Sequence, residues 1–218
     1  MLNAVLFDLD GTLTDSKEGI INCIKYALKA LKIEETDEKK LYAFIGPPLR
    51  DMFKKMYCLT DEQADFALLK YRERFSVTGL FENRVYGGIE DVLINLQKSG
   101  VKICLATGKP IVYAKRILEH FGLIKYFSIM VGSELDGRRT DKTEVIEYAL
   151  SKLGTKENVI MIGDRKFDVI SAHIRGIPCI GVKYGFADEN ELENANADYI
   201  AESVDELNAI LNKLQKNT

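Results

Sequence analysis

The chain has 218 residues, 46% hydrophobic and 29% charged, which is the composition of a soluble globular protein rather than of a disordered one. Lys and Arg total 30 against 33 Asp and Glu, so the net charge of −3 provides no basic field for nucleic acid or for an anionic membrane. No apolar stretch approaches the roughly 18 residues that a membrane-spanning helix needs. We therefore expect neither nucleic-acid nor membrane partners.

Cysteine usage points to a reducing compartment. The four cysteines, which are far apart and mostly in apolar runs, are Cys23, Cys58, Cys104 and Cys179. Such residues are typical of reduced core thiols in a cytoplasmic protein. With no zinc-type cysteine spacing and only two histidines, a zinc or histidine-rich site is excluded. The first eight residues contain an aspartate and no basic residue, and they do not resemble a signal peptide. We therefore expect a cytoplasmic location.

Apolar runs of strand length alternate with amphipathic helical patterns along most of the chain. The runs are residues 4–7, 101–106, 127–131, 159–162 and 178–182. The helical patterns between them cover residues 88–99, 109–121 and 141–153. Continuous apolar strands suit a parallel sheet that is covered on both faces. This order predicts an α/β fold with a doubly wound, Rossmann-like parallel sheet.

One long segment, residues 16–81, breaks the alternation because it contains only helical patterns. A parallel crossover needs only a dozen or more residues, so this segment predicts an inserted all-helical domain. The expected organisation is a core of residues 1–15 and 82–218 with a helical domain of residues 16–81. Gly79 and Gly87-Gly88 are expected to mark the return to the core, and residues 213–218 to fray.

Polar side chains follow three of the predicted strands, where parallel strands meet at one sheet edge. Asp8 and Asp10 follow the first strand, Thr107-Gly108-Lys109 the second, and Asp164 the fourth. Asp168 comes four residues after Asp164, and Lys142 opens the preceding helix. Carboxylates, a hydroxyl and a cation together are typical of Mg²⁺-dependent phosphoryl transfer.

Each piece alone has a simpler interpretation. An Asp-x-Asp pair is often turn chemistry, and Asp164 and Asp168 could be a cap and a solvated helix residue. The Thr-Gly-Lys is not a phosphate-binding P-loop, because Ile103 stands where that motif has its first glycine. The joint occurrence of all the pieces on one sheet edge favours a site.

These motifs resemble those of the haloacid dehalogenase superfamily, in the phosphatase branch related to phosphoglycolate phosphatases and 5′-nucleotidases. The first motif is Phe7-Asp8-Leu9-Asp10-Gly11-Thr12-Leu13, and the second is Leu105-Ala106-Thr107-Gly108-Lys109. Lys142 matches the third motif, and Gly163-Asp164-Arg165-Lys166-Phe167-Asp168 the fourth. Residues 16–81 correspond to the helical cap of many relatives. The chain departs from the pattern after Lys142, where Thr143-Glu144-Val145 replaces Pro-x-Pro.

The resemblance implies a role for each residue of the core. Asp8 would be the nucleophile that forms an aspartyl phosphate, and Asp10 the proton-transfer residue. Thr107 and Gly108 would bind phosphate oxygens, and Lys142 would balance charge in the transition state. The implied cofactor is Mg²⁺, with ligands from Asp8, the carbonyl oxygen of Asp10, Asp164 and, directly or through water, Asp168.

The cap of relatives carries a loop that faces the active site, and here it corresponds to Phe44-Ile45-Gly46-Pro47-Pro48-Leu49-Arg50. Gly46 would allow close approach of the substrate, and Arg50 would pair with its second anionic group. Equally, Pro47-Pro48 could simply separate two helices and leave Arg50 in solvent.

The resemblance therefore predicts a phosphatase acting on a small-molecule phosphate monoester, with phosphoglycolate or a 5′-nucleotide as the favoured substrate. A sugar phosphomutase of the same superfamily and a non-catalytic phosphate-sensing regulator are the alternatives. The expected oligomeric state is a monomer or a weak homodimer.

Overall fold

The computed structural model describes residues 1–216 and divides into two compact units. One unit is Asp15–Arg84, and the other combines residues 1–14 with the chain from Val85 onward. The sequence prediction placed these borders at residues 16 and 81.

The helices and strands follow the predicted alternation. In chain order they are β1 (Ala4–Phe7), β2 (Thr14–Asp15), α1 (Lys17–Ala30), α2 (Glu38–Tyr42), α3 (Leu49–Tyr57), α4 (Asp61–Arg74), a π-helical turn (Phe75–Gly79), β3 (Arg84–Val85), α5 (Ile89–Lys98), β4 (Lys102–Pro110), α6 (Ile111–His120), a 3₁₀ turn (Ile124–Tyr126), β5 (Ile129–Ser133), α7 (Lys142–Leu153), β6 (Val159–Gly163), α8 (Lys166–Ile174), β7 (Cys179–Val182), α9 (Glu191–Asn194), β8 (Tyr199–Ala201) and α10 (Val204–Lys216).

The larger unit is built on a six-stranded sheet in the order β5-β4-β1-β6-β7-β8, with parallel pairing throughout. This confirms the predicted α/β fold. The central strand β1 is completely buried, as its uninterrupted apolar sequence requires. Phe7 pairs with Leu105 of β4 and Ile162 of β6, so these three strands end at the same edge of the sheet. That edge carries the polar residues of the first, second and fourth motifs.

Strand β4 is longer than predicted and includes Lys109 and Pro110, which the sequence had placed at the start of a helix. Pro110 pairs with Ser133 after a shift in register, and α6 begins only at Ile111. A proline disfavours helical backbone at the residue before it, so Lys109 stays extended. The predicted helix start at residue 109 was therefore wrong.

The smaller unit is helical between β2 and β3, which pair with each other. The predicted capping box at α4 is confirmed: Gln63 N–H donates to the Thr60 hydroxyl at 3.3 Å, and Thr60 N–H donates to Gln63 Oε1 at 3.0 Å. Gly79, expected at the hinge, instead lies in the π-helical turn and packs against α1. A Cβ on Gly19 would be 2.1 Å from the Gly79 carbonyl oxygen, so close helix packing explains both glycines.

Three of the four cysteines are buried, Cys58 is exposed, and all four are free thiols. Helix α10 continues to Lys216, so residues 213–216 are ordered helix rather than frayed, and residues 217–218 lie outside the described residues. Among residues 1–216, no helix combines the length and the apolar character needed to cross a bilayer.

Candidate active site

Three carboxylates meet at the edge where β1 and β6 end. Asp8 directly follows β1, Asp164 directly follows β6, and Asp168 lies in the first turn of α8. One carboxylate oxygen from each lies within 4.8 Å of the others. Asp164 is fully buried and Asp168 nearly so, which leaves Asp8 as the member that reaches solvent.

Lys142, the first residue of α7, joins this cluster. Its Nζ lies 2.8 Å from Asp8 Oδ1 and 2.6 Å from Asp168 Oδ1, and its side chain is 9% exposed. The lysine therefore contacts two carboxylates of the cluster even though the Pro-x-Pro sequence is missing. The N-cap Asp141 accepts a hydrogen bond from Thr143 N–H at 2.7 Å and fixes the start of the helix without a proline.

The buried groups of the cluster have shifted pKa values. Burial, followed by the charges of Asp168 and Asp8, raises the pKa of Asp164 well above its ordinary value. Burial also raises the pKa of Asp168 to about 6, although the Lys142 charge opposes this shift. Burial alone would lower the pKa of Lys142, but the charges of Asp168 and Asp8 outweigh it and raise that pKa.

The cluster fits a divalent metal ion. Its donors are hard carboxylate oxygens, the ligands that Mg²⁺ prefers, and three carboxyl groups face one ammonium group. Asp8, Asp164 and Asp168 would hold the ion. The Asp10 carboxylate is not in this group, and the ligand role predicted for its carbonyl oxygen stays a prediction.

Gly11 and Gly163 are among the glycines that pack directly against the cluster. A Cβ on Gly11, whose φ is +79°, would lie 2.0 Å from Asp164 Oδ2. A Cβ on Gly163 would lie 2.1 Å from Asp168 Cγ. Any side chain at either position would displace a carboxylate of the site, so the glycines of the first and fourth motifs provide space for it.

Asp164 is held by residues to which the sequence analysis gave no role. Phe186 N–H donates to its Oδ2 at 2.8 Å, and the buried Thr12 hydroxyl lies 3.5 Å from Oδ1. The Tyr184 hydroxyl donates to the Thr12 carbonyl oxygen at 3.0 Å. The Tyr184-Gly185-Phe186 segment after β7 could have been noticed, because it too leaves the carboxyl end of a sheet strand.

The end of β4 brings the second motif to the same edge. Thr107 is buried, and its Oγ1 accepts a hydrogen bond from Lys109 N–H at 3.2 Å. Gly108 is exposed, and its carbonyl oxygen accepts a hydrogen bond from the Ser133 hydroxyl at 2.7 Å. Lys109 Nζ lies 2.6 Å from Asp10 Oδ2. Lys109 stands in the second motif but was not predicted to be part of the site.

The predicted cap residues lie in the smaller unit. Gly46, between α2 and α3, has φ +108°, a conformation that favours glycine. Arg50 is paired with two cap carboxylates: its Nε lies 2.5 Å from Asp65 Oδ1 and its Nη2 lies 2.7 Å from Asp61 Oδ1. The substrate-binding roles of Gly46 and Arg50 stay predictions.

Comparisons with known proteins agree with this geometry. Residues 5–182 match the family model described as haloacid dehalogenase-like hydrolase. A curated relative, the 5′-nucleotidase of Pseudomonas aeruginosa, is 48% identical over 86% of both chains. Another, the tyrosine-protein kinase PtkA of Mycobacterium tuberculosis, is 33% identical over 95% of this chain and 72% of its own length. The crystal structure of a predicted phosphatase from Clostridium acetobutylicum is 48% identical, covers 98% of this chain and 99% of its own, and has a TM-score of 0.93.

Proposed function

The chain belongs to the haloacid dehalogenase-like hydrolase family and is a phosphatase, and we propose that it hydrolyses small-molecule phosphate monoesters with Mg²⁺ through an aspartyl phosphate on Asp8. The observation that carries this proposal is the joint position of Asp8, Lys142 and the Asp164–Asp168 pair at one sheet edge. A carboxylate nucleophile needs positive charge beside it before it can approach an anionic phosphate. This site supplies an ammonium group and a set of metal ligands.

The reaction has two steps. In the first, a carboxylate oxygen of Asp8 bonds to phosphorus while the bond from phosphorus to the leaving oxygen breaks, and Asp10 gives that oxygen a proton. In the second, water attacks the phosphorus of the aspartyl phosphate and Asp10 takes a proton from the water. Inorganic phosphate leaves, and Asp8 is a carboxylate again.

The remaining residues stabilise charge. The Thr107 hydroxyl and the Gly108 N–H would donate hydrogen bonds to phosphate oxygens, and Lys142 would balance the charge that spreads over these oxygens. Mg²⁺ held by Asp8, Asp164 and Asp168 would supply further positive charge to the site.

A 5′-nucleotide is the leading substrate, because the 48% identical relative bears the name 5′-nucleotidase. Phosphoglycolate is the second candidate from the sequence. The buried free thiols favour the cytoplasm, and a monomer or weak homodimer suffices, since the proposed catalytic residues come from one chain.

A phosphomutase also needs Asp8 and Asp10 but returns the phosphoryl group to the sugar. A phosphate-sensing regulator could lose either aspartate, and this chain retains both. Release of inorganic phosphate into water, without a bisphosphate activator, separates the hydrolase from both alternatives.

The test is a phosphate-release assay with the purified chain over 5′-nucleotides, phosphoglycolate, pyrophosphate, sugar phosphates and p-nitrophenyl phosphate, with Mg²⁺ and with EDTA. We expect turnover in Mg²⁺, loss of turnover in EDTA, and a preference for 5′-nucleotides. Failure to release phosphate from any of them, in protein shown by circular dichroism to be folded, would contradict the proposed activity. Turnover that survives exhaustive chelation would contradict the role of the metal.

A further inference from the structure

Asp10 forms a partly buried ion pair with Lys109, a residue that has no role in the proposed mechanism. Lys109 Nζ lies 2.7 Å from Asp10 Oδ1 and 2.6 Å from Asp10 Oδ2. The two side chains are 6% and 16% exposed. Because one ammonium group contacts both oxygens, it restricts rotation of the Asp10 carboxyl group as well as its position.

The backbone that carries Lys109 is itself held in place. Ser133 and Thr107 hydrogen-bond the backbone of the turn, as described above. Gly132 of β5 lets this turn approach closely, since a Cβ there would lie 2.5 Å from the Lys109 carbonyl oxygen. Arg139 in turn donates to the Gly132 carbonyl oxygen at 3.3 Å. The direction of the Lys109 side chain toward Asp10 therefore follows from the pairing of β4 with β5.

Different lysines therefore contact the two proposed catalytic carboxylates. Lys142 contacts Asp8, the nucleophile, and Lys109 contacts Asp10, the proton-transfer residue. Proton transfer to a leaving oxygen requires that the acid lie within hydrogen-bond reach of that oxygen. A carboxyl group on a turn that contains Gly11 needs a partner to fix its orientation.

On this basis, and resting on the proposed phosphatase function, we propose that Lys109 is a positioning residue that orients the Asp10 carboxyl group for proton transfer to the leaving oxygen. Its effect depends on how much the leaving group needs a proton. The ribose oxygen of a 5′-nucleotide needs one, whereas p-nitrophenolate leaves as a stable anion.

The test compares kcat/KM for a 5′-nucleotide and for p-nitrophenyl phosphate, because this parameter reports the steps up to the first phosphoryl transfer. The variants are Lys109→Met, which removes the charge, and Lys109→Arg, which keeps it. Lys102→Met is the matched control, because Lys102 is an exposed lysine of the same strand. Thermal unfolding of each variant checks the fold. If Lys109→Met does not fold, Lys109→Gln replaces it.

We expect Lys109→Met to lower kcat/KM for the nucleotide by roughly 10²-fold, which is the lower range for loss of general acid catalysis. For p-nitrophenyl phosphate, the same substitution should lower kcat/KM by less than about fivefold. The nucleotide loss should lie in kcat rather than KM, Lys109→Arg should recover much of it, and the control should match wild type.

Equal losses with both substrates, or a loss confined to KM, would assign Lys109 to phosphate binding or to the fold and overturn the proposal. So would unchanged kinetics of Lys109→Met, or a folded Lys109→Arg as slow as Lys109→Met with the nucleotide. These results are distinct from failure of the proposed function, in which the wild-type chain itself would release no phosphate.

Discussion

Lys142 contacts both the proposed nucleophile and a proposed metal ligand, so a single ammonium group links the phosphoryl-transfer and metal parts of the site. Asp8 is partly open to solvent, while Asp164 and Asp168 are buried. The proposed nucleophile is therefore the accessible carboxylate of the cluster, and the two buried ones are proposed only as metal ligands. This arrangement means that substitutions at Asp8 can be read as effects on chemistry.

Asp8→Asn should abolish turnover while leaving the fold intact. The amide has nearly the size of the carboxylate but cannot attack phosphorus, so we expect a loss of roughly 10³-fold or more in kcat. The measurement is phosphate release by freshly purified protein, with circular dichroism as the control for folding. Substantial activity in this variant, with reversion excluded by mass spectrometry, would rule out the aspartyl-phosphate mechanism.

The sequence could predict which residues gather at one edge of the sheet, because each stands in a short motif beside a strongly apolar strand or at a helix start; they are Asp8, Asp10, Thr107, Lys142, Asp164 and Asp168. Their roles stay predictions. The sequence could not predict Thr12, Lys109 or Phe186 as parts of the site. Their contacts depend on backbone geometry: Phe186 acts through its N–H, and Lys109 reaches Asp10 from the extended end of β4, which pairs with β5. A backbone donor leaves no sign of its role in its residue type.

At the scale of elements, the short helix α9 supports the loop that carries the fourth motif. Glu191, its first residue, accepts hydrogen bonds from Arg165 Nε at 3.0 Å and Lys166 N–H at 2.8 Å through Oε1, and from Asp188 N–H at 3.1 Å through Oε2. Burial tends to raise the pKa of Glu191, but these bonds, that of Arg165 foremost, outweigh it and lower the pKa. Helix α9 could not be predicted from the sequence, because a four-residue helix has too few residues for an apolar period.

Glu191→Gln should destabilise the protein in a pH-dependent way. An acid whose folded-state pKa is lowered stabilises the fold above its unfolded pKa, and this stabilisation is lost as the pH falls through the folded value. We expect a cost of roughly 1–3 kcal/mol at pH 7, typical of hydrogen bonds to a charged group. Urea unfolding in EDTA at pH 7 and near pH 4 measures it, with the exposed Glu189→Gln as the control. A difference from wild type that does not shrink toward pH 4 would contradict this role of the charge.

Helices α3 and α4 of the cap bear on the predicted role of Arg50, whose guanidinium is already paired with Asp61 and Asp65. If Arg50 binds a second anionic group of the substrate, that group competes with these carboxylates. Arg50→Ala should then raise KM for the best substrate by roughly tenfold, and Asp65→Asn should lower it.

For p-nitrophenyl phosphate, which has no second anionic group, neither cap substitution should change KM. Steady-state kinetics with both substrates make the comparison. Parallel changes for the two substrates would show that Arg50 and Asp65 act through the structure of the cap. Identical KM values in all three proteins would remove Arg50 from the substrate-binding residues.

At the scale of the whole molecule, the α/β class followed from the sequence because buried parallel strands are apolar along their whole length and helices have a different period. Strand β8 was missed, since its three residues carry no such pattern. The helical insertion was visible as a long interval without strands. The sequence prediction differed from the structure by a few residues at its borders, because β2 and β3 are two-residue strands.

A further consequence for the molecule concerns its stability. Without a bound metal ion the three carboxylates repel one another, and the single charge of Lys142 offsets only part of this repulsion. The raised pKa of Asp164, due first to burial and then to Asp168 and Asp8, reflects this cost. A cation that binds the folded state alone stabilises it in proportion to RT ln(1 + [L]/Kd). Catalytic sites commonly reduce the stability of the fold in this way.

We therefore expect Mg²⁺ to raise the melting temperature of the wild-type chain by roughly 2–6 °C. In EDTA, the Asp164→Asn variant should melt roughly 2–6 °C above wild type. In the variant, Mg²⁺ should have little effect, because one ligand and one charge are gone. Differential scanning calorimetry over a Mg²⁺ series measures both shifts, with exposed Asp91→Asn as the matched control that should respond to Mg²⁺ like wild type. The cost of the carboxylate cluster and the binding of the ion both require the Asp164 carboxylate. An Asp164→Asn protein that melts below wild type in EDTA would therefore contradict the first, and one whose melting temperature rises with Mg²⁺ as much as that of wild type would contradict the second.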